Sequence, residues 1–150
     1  MTLTANASIQ IQKPIAEVFE AIVDPEKMRN YFISHASGTL EPGVTVQWSF
    51  PEFEGNFPVL GKEIQPFSYI SFDWSAGKEG QLVEIFLTPQ EDGSTVVKIV
   101  ESTMENTEEG ILAMKQQTEG WANFLACLKA FLEYGINLRT GAFDFMREKK

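Results

Sequence analysis

The stretch EGWANFLACLKAFLEYG, residues 119–135, constrains this chain more than any other. Trp121, Phe124, Leu125, Leu128, Phe131 and Leu132 recur at spacings of three and four, the period that gathers side chains into one apolar stripe on a helix. A stripe this wide and aromatic needs a cover: a plain core, a partner helix, or the wall of a cavity. The helical pattern reaches back to about Thr107 or Glu108. Gly110 and Gly120 interrupt it, each lowering helix propensity by about 1 kcal/mol relative to alanine, so a kink or loose first turn is expected near Gly110. Gly135 suits a C-cap.

The cover has to come from upstream. Thr4 to Gln12 alternates Ala5, Ala7, Ile9 and Ile11 with polar residues and reads as a strand. Lys13-Pro14 ends it and opens a short helix with Ile15, Val18, Phe19 and Ile22 on one face. Asp24 then caps a second short helix, expected from Pro25 to Asn30. From Ile33 to about Thr103 the signals are β, punctuated by Gly38, Pro42-Gly43, Glu54-Gly55-Asn56, Pro66, Gly77 to Gly80 and Asp92-Gly93. Strands are expected at 44–50, 57–64, 68–74, 81–88 and 94–103, with a weaker one within 34–40 and a hairpin joint at Gln90 to Gly93.

Alternation assigns the faces. Val46, Trp48 and Phe50 share one side of their strand, as do Ile70, Phe72 and Trp74, then Val83, Ile85 and Leu87, then Val97 and Ile99. Gln47, Ser71, Asp73, Glu84 and Lys98 fall opposite, with Glu84 and Lys98 expected to pair across strands. Strands apolar on one side only imply a sheet with one wet face. The other face wants the long helix laid across it, which makes an α+β architecture.

Composition excludes several functions. A length of 150 residues suits one domain, 1–150. The formal net charge of −9 repels phosphate backbones and anionic lipid surfaces, so neither nucleic acid nor membrane is expected as a partner. No stretch approaches the roughly 18 apolar residues of a membrane span. The opening MTLTANASIQIQ lacks the basic start and apolar run of a secretory signal, so the expected location is cytoplasmic. Cys127 sits inside the apolar stripe and reads as a small buried hydrophobe.

With one histidine and one cysteine, no His/Cys metal cluster can form, and no cofactor or metal is expected. The carboxylates Glu52, Glu54, Glu105, Glu108 and Glu109 fall in turns without calcium-loop spacing. No glycine pattern of a nucleotide-phosphate cradle is present.

The succession strand, two short helices, about six strands and one long helix resembles the helix-grip fold of the START-like superfamily, also called SRPBCC or birch-pollen-allergen-like. Within it the chain is similar to the branch named for activators of heat-shock-protein ATPase. The stretches that carry the resemblance are IQKPIAEVFEAIVDPEKMRNYF, PGVTVQWSF, GKEIQPFSYISFDW, DGSTVVKIVES and EGWANFLACLKAFLE, from about Ile9 to Leu132. The resemblance implies a seven-stranded curved antiparallel sheet wrapped around the C-terminal helix, with a cavity between them. It implies no single function, since relatives include lipid carriers, hormone receptors, cyclases and chaperone cofactors. The cochaperone that names the branch has a further N-terminal domain without counterpart in these residues, which turns the expectation away from chaperone activation.

The expected function is therefore binding of a small hydrophobic or amphipathic ligand. The candidate cavity lining is Phe19, Phe32, Trp48, Phe50, Phe72, Trp74, Ile85, Ile99, Glu101, Trp121 and Phe124, with Phe57 among the converging aromatics. Glu101 shares parity with Val97 and Ile99, so it either leaves the core wet or orients a ligand at the cavity mouth. Trp121 and Phe124 are the stripe positions where packing gives way to binding, while Leu125, Leu128 and Leu132 anchor the helix. Two alternatives remain. One is a stress or chaperone accessory with a protein partner or homodimer, using the apolar tail at Phe143 to Met146. The other is a cavity hydrolase or cyclase, for which only Glu101, His35 and Tyr31 offer polar groups and no catalytic residue is assigned.

Overall fold

The computed structural model describes residues 2–74 and 82–146. Seven strands form one antiparallel sheet: β1 Thr2–Ile11, β2 His35–Ala36, β3 Thr45–Ser49, β4 Phe57–Gln65, β5 Tyr69–Asp73, β6 Leu82–Pro89 and β7 Thr95–Glu105. Their order is β1-β7-β6-β5-β4-β3-β2, so β2 to β7 meander and β1 closes onto β7. Helices α1 (Ile15–Val23) and α2 (Pro25–Met28) follow β1, and α3 (Glu108–Tyr134) lies across β1 and β7. This is the helix-grip arrangement. The expected turn at Gly77 to Gly80 and the tail's Arg147, Lys149 and Lys150 lie outside the described residues.

Both short helices start as their sequences dictate. Pro14 occupies the N-cap of α1, one residue before the helix. Asp24 caps α2 by accepting the Glu26 N–H at 2.9 Å, with Pro25 in the first helical position. Helix α2 stops at Met28 rather than Asn30, because Tyr31 and Phe32 turn inward to the core. The weak strand expected within 34–40 shortens to His35–Ala36, an edge pair against Ser49 and Trp48.

The alternation places the core largely as read. Val46, Trp48, Ile70, Phe72, Val83, Ile85, Leu87, Val97 and Ile99 are buried in one cluster with Leu125 and Leu128 of α3. Two readings of the outer face change. Ser71 is buried because β4 bulges between Gly61 and Ile64, and the Ser71 hydroxyl accepts the Glu63 N–H and donates to Glu63 O, at 3.0 and 3.1 Å. Glu84 does not pair with Lys98. The register sets Glu84 opposite Val100 and Lys98 opposite Phe86, and Glu84 instead accepts the Tyr69 hydroxyl at 2.6 Å.

Helix α3 runs unbroken, so the expected kink at Gly110 does not occur. The reason is local. Thr107 caps the helix by accepting the Gly110 N–H at 3.0 Å, and a Cβ on Gly110 would lie 1.7 Å from Glu105 O. Only glycine lets the helix start this close to the end of β7. At the other end Gly135 takes φ +67°, the left-handed cap. Lys129 donates to Gln10 O at 2.7 Å, and Glu133 accepts the Gln12 N–H at 2.8 Å, clasping α3 to β1 and the residues just after it.

Candidate functional site

One face of α3 rests on the sheet, but the neighbouring face borders open space. Gln117, Gly120, Trp121, Phe124 and Cys127 line a cavity of about 300 Å³. The opposite wall comes from Tyr31 and Phe32 after α2, Phe50, Glu52 and Phe53 after β3, Phe57 of β4 and Trp74 after β5. Arg139, Phe143 and Met146 of the C-terminal segment close one side. Exposure of Phe53, Phe57 and Met146 marks the mouth.

The aromatic rings form a continuous network. Phe32 stands edge-on to Phe124 at 4.7 Å, to Phe50 at 5.2 Å and to Trp48 at 5.5 Å between centroids. Trp74 and Trp121 lie 5.2 Å apart, tilted by 36°. Edge-on and tilted pairs suit the ring quadrupoles better than a flat sandwich. Tyr31 is fully buried, and its hydroxyl donates to Ala21 O at 2.6 Å. Burial pushes this phenol well above its ordinary pKa.

Glu101 sits behind this wall. It is 0% exposed, on the inward side of β7 between Ala5 and Val83 of the flanking strands. Its carboxylate accepts the Trp121 indole N–H at 2.7 Å, the Trp74 indole N–H at 3.2 Å and the Gln117 amide at 3.0 and 3.2 Å. All three donors line the cavity. Among the described residues no cation pairs with Glu101.

A second charged group crosses the cavity rim. Arg139 Nη2 lies 2.7 Å from Glu52 Oε1, and Nη1 donates to Glu52 Oε2 at 3.2 Å. The shorter contact lacks hydrogen-bond geometry, so Oε1 holds a charge partner but accepts no hydrogen bond. The Arg139 guanidinium also stands 5.0 Å from the Phe143 ring centre and 5.6 Å from that of Phe50. This pair ties the β3–β4 connection to the C-terminal segment. Cys127 is a poor nucleophile here. Burial pushes its thiol up, against a smaller opposing pull from Arg139.

The structure divides the residues expected to line the cavity. Phe32, Phe50, Trp74, Trp121 and Phe124 meet at its wall. Glu101 stands one layer behind, neither wet nor at the mouth. Trp48, Phe72 and Ile85 border a separate closed gap with no room for a water molecule and belong to dry core. Ile99 is buried core beside them. Phe19 points elsewhere, edge-on to Phe67 of the β4–β5 turn at 5.5 Å.

Tyr31, Glu52, Phe53, Phe57, Gln117, Gly120, Asn123, Cys127, Arg139, Phe143 and Met146 complete the lining. For the helical members a signal existed, since Gln117, Gly120, Phe124 and Cys127 follow helical spacing. For Arg139 no periodic signal exists. His35 is exposed on β2, Tyr31 is bonded to Ala21 and Glu101 to the indoles, so these three make no shared acid–base centre. Among the described residues no group of three or more His, Cys, Asp or Glu is placed to hold a metal. Nor is any helix among them long and apolar enough to cross a membrane.

Known proteins supply the family. Residues 12–133 match the family described as activator of Hsp90 ATPase homolog 1-like protein. No match is found among curated proteins. Among solved structures, protein SSP2350 from Staphylococcus saprophyticus is similar at 29% identity and a TM-score of 0.80, with 91% of this chain and 96% of that chain covered. The Aha1 dimer from Colwellia psychrerythraea shares the fold at 21% identity and a TM-score of 0.76, covering 89% and 98%. Protein MLL2253 from Mesorhizobium loti does so at 18% identity and 0.75, covering 87% and 97%. The chain belongs to the activator of Hsp90 ATPase homolog 1-like family.

Proposed function

We propose that this is a single-domain cytoplasmic protein that binds a small hydrophobic or amphipathic molecule in the cavity beside α3. The observation that carries the reading is an open space of about 300 Å³ walled by aromatic rings, with Glu52, Gln117, Asn123 and Arg139 as its polar groups. Small-molecule sites commonly measure about 300–1,000 Å³ and combine an apolar wall with a few oriented polar groups. A chain whose fold needed only a core would gain by filling such a space, as it does around Trp48 and Phe72.

Gly120 offers a clean test. A Cβ there would meet no atom within 4 Å, so Gly120→Leu fills space rather than displacing it. The neutral dye Nile red should bind the wild-type protein with a fluorescence rise, and Gly120→Leu should abolish that rise while circular dichroism stays unchanged. Equal binding by both proteins would place the dye elsewhere and remove the support for this cavity.

A second reading, a partner-binding accessory or homodimer, is favoured by the C-terminal segment, where Phe145 is 82% exposed and Ile136 and Leu138 are exposed as well. Light scattering tests it: a dimer that Phe145→Glu dissociates supports it, and a strict monomer at high concentration counts against self-association.

A further inference from the structure

The charge and the aromatic wall together say what kind of molecule fits. Within the lining, Glu52 and Arg139 cancel each other at 2.7 Å. Among the described residues Glu101 has no such partner. Three N–H donors stabilise its carboxylate, but they bring no countercharge. A buried carboxylate without a countercharge leaves a negative potential around it, little damped in apolar surroundings.

That potential reaches the cavity through the two indoles. Trp74 and Trp121 point their N–H edges at Glu101 and contribute to the cavity wall. An indole face is already the most attractive ring surface for a cation. Donating its N–H to a carboxylate makes the ring richer in electrons. Phe32, Phe50 and Phe124 extend the same kind of surface around the space. The net charge of −9 favours approach of a cation from solution as well.

We propose that the cavity takes a small monocation with an apolar body, a quaternary or protonated amine, seated against Trp74 and Trp121 with Glu101 as its counterion one layer behind. This rests on the cavity being a ligand site. Trp74, Trp121 and Gln117 then have two tasks: they satisfy Glu101, and they carry its charge to the ligand.

The test compares three probes of similar shape on the whole protein: benzyltrimethylammonium, its neutral carbon counterpart neopentylbenzene, and benzylphosphonate. Permanent charge on the first removes any ambiguity of protonation. Calorimetry, with tryptophan fluorescence as a second readout, should show the cation binding roughly tenfold more tightly than the neutral probe, in line with a desolvated cation–π contact. Benzylphosphonate should be the weakest. In Glu101→Gln the preference for the cation should fall severalfold while neopentylbenzene binds about as before; a purely structural Glu101 would weaken both alike. If that variant does not fold, the probe series in the wild-type protein still decides. Neutral or anionic probes binding as tightly as the cation would overturn the proposal and leave the ligand cavity standing. Binding of none of the three, together with no Nile red signal, would overturn both.

Discussion

Helix α3 has two neighbouring faces with opposite fates. Leu125 and Leu128 belong to a closed core with Ile11, Val97 and Ile99. About a third of a turn away, Gly120 and Cys127 border open space. The first face meets β1 and β7, strands placed by a ladder from Thr2 opposite Glu105 to Ile11 opposite Thr95, with one register shift between Leu3 and Thr4. The second faces the β3–β4 connection and the C-terminal segment, which are placed by a few side-chain contacts such as Glu52 with Arg139. Ladder hydrogen bonds fix a wall to within the packing distance of a core. Segments held by single contacts can leave a gap, and here the gap is lined with aromatic rings.

If that contrast is right, Leu128→Ala should have the largest effect on stability, about 2–5 kcal/mol in urea unfolding, because it opens a hole in a closed face. A loss below about 1 kcal/mol would mean that this face too is loosely filled. Arg139→Ala comes next. It leaves Glu52 half of a sheltered ion pair and frees the C-terminal segment, costing about 2 kcal/mol and making the segment an early site of proteolysis. Unchanged protease resistance would show that Phe143 and Met146 hold the segment without the pair.

Glu133 tests the clasp between α3 and β1. Partial burial raises its pKa, but the Gln12 N–H and the Lys129 ammonium outweigh that, and the net shift is downward. A lowered folded value means the clasp contributes fully above the ordinary glutamate range and is lost as pH falls through the lowered value. Glu133→Gln should cost roughly 1 kcal/mol at neutral pH and flatten the acid limb of the stability curve. An acid limb identical to that of the wild type would remove Glu133 from the clasp. The smallest stability effect is expected at the cavity itself. Gly120→Leu should leave stability within about 1 kcal/mol of the wild type, with the helix-propensity gain tending to stabilise. A marked loss would mean the space is not open.

The same contrast explains what the sequence could tell. Strand alternation and the helical stripe report sides of regular elements, so the core positions from Val46 to Ile99 were readable, and the stripe set Trp121 and Phe124 on the inner side of α3 without deciding between packing and a cavity wall. Parity also put Glu101 inward, although not its three donors, since Trp74, Gln117 and Trp121 come from separate elements that meet only in the fold. Glu84 and Lys98 share a face, but register decides the pairing, and parity does not carry register. Arg139 and Phe143 follow no period at all. Their positions come from a turn in which Asn137 accepts the Arg139 and Thr140 N–H groups, which leaves no repeating mark in the sequence. Phe19 and Ile85 were apolar on the correct side of their elements but do not line the gap, because periodicity identifies what is buried and not where packing fails.

The three tryptophans allow the central claim to be tested in one experiment. Trp48 lies in the dry core, whereas Trp74 and Trp121 line the cavity. The indole N–H signals of labelled protein, followed by NMR during titration with benzyltrimethylammonium, should divide accordingly: those of Trp74 and Trp121 move and saturate together, and that of Trp48 moves least. A Trp48 signal that moves as far as the other two, or three signals that all stay fixed, would contradict the division of α3 into an anchoring face and a binding face.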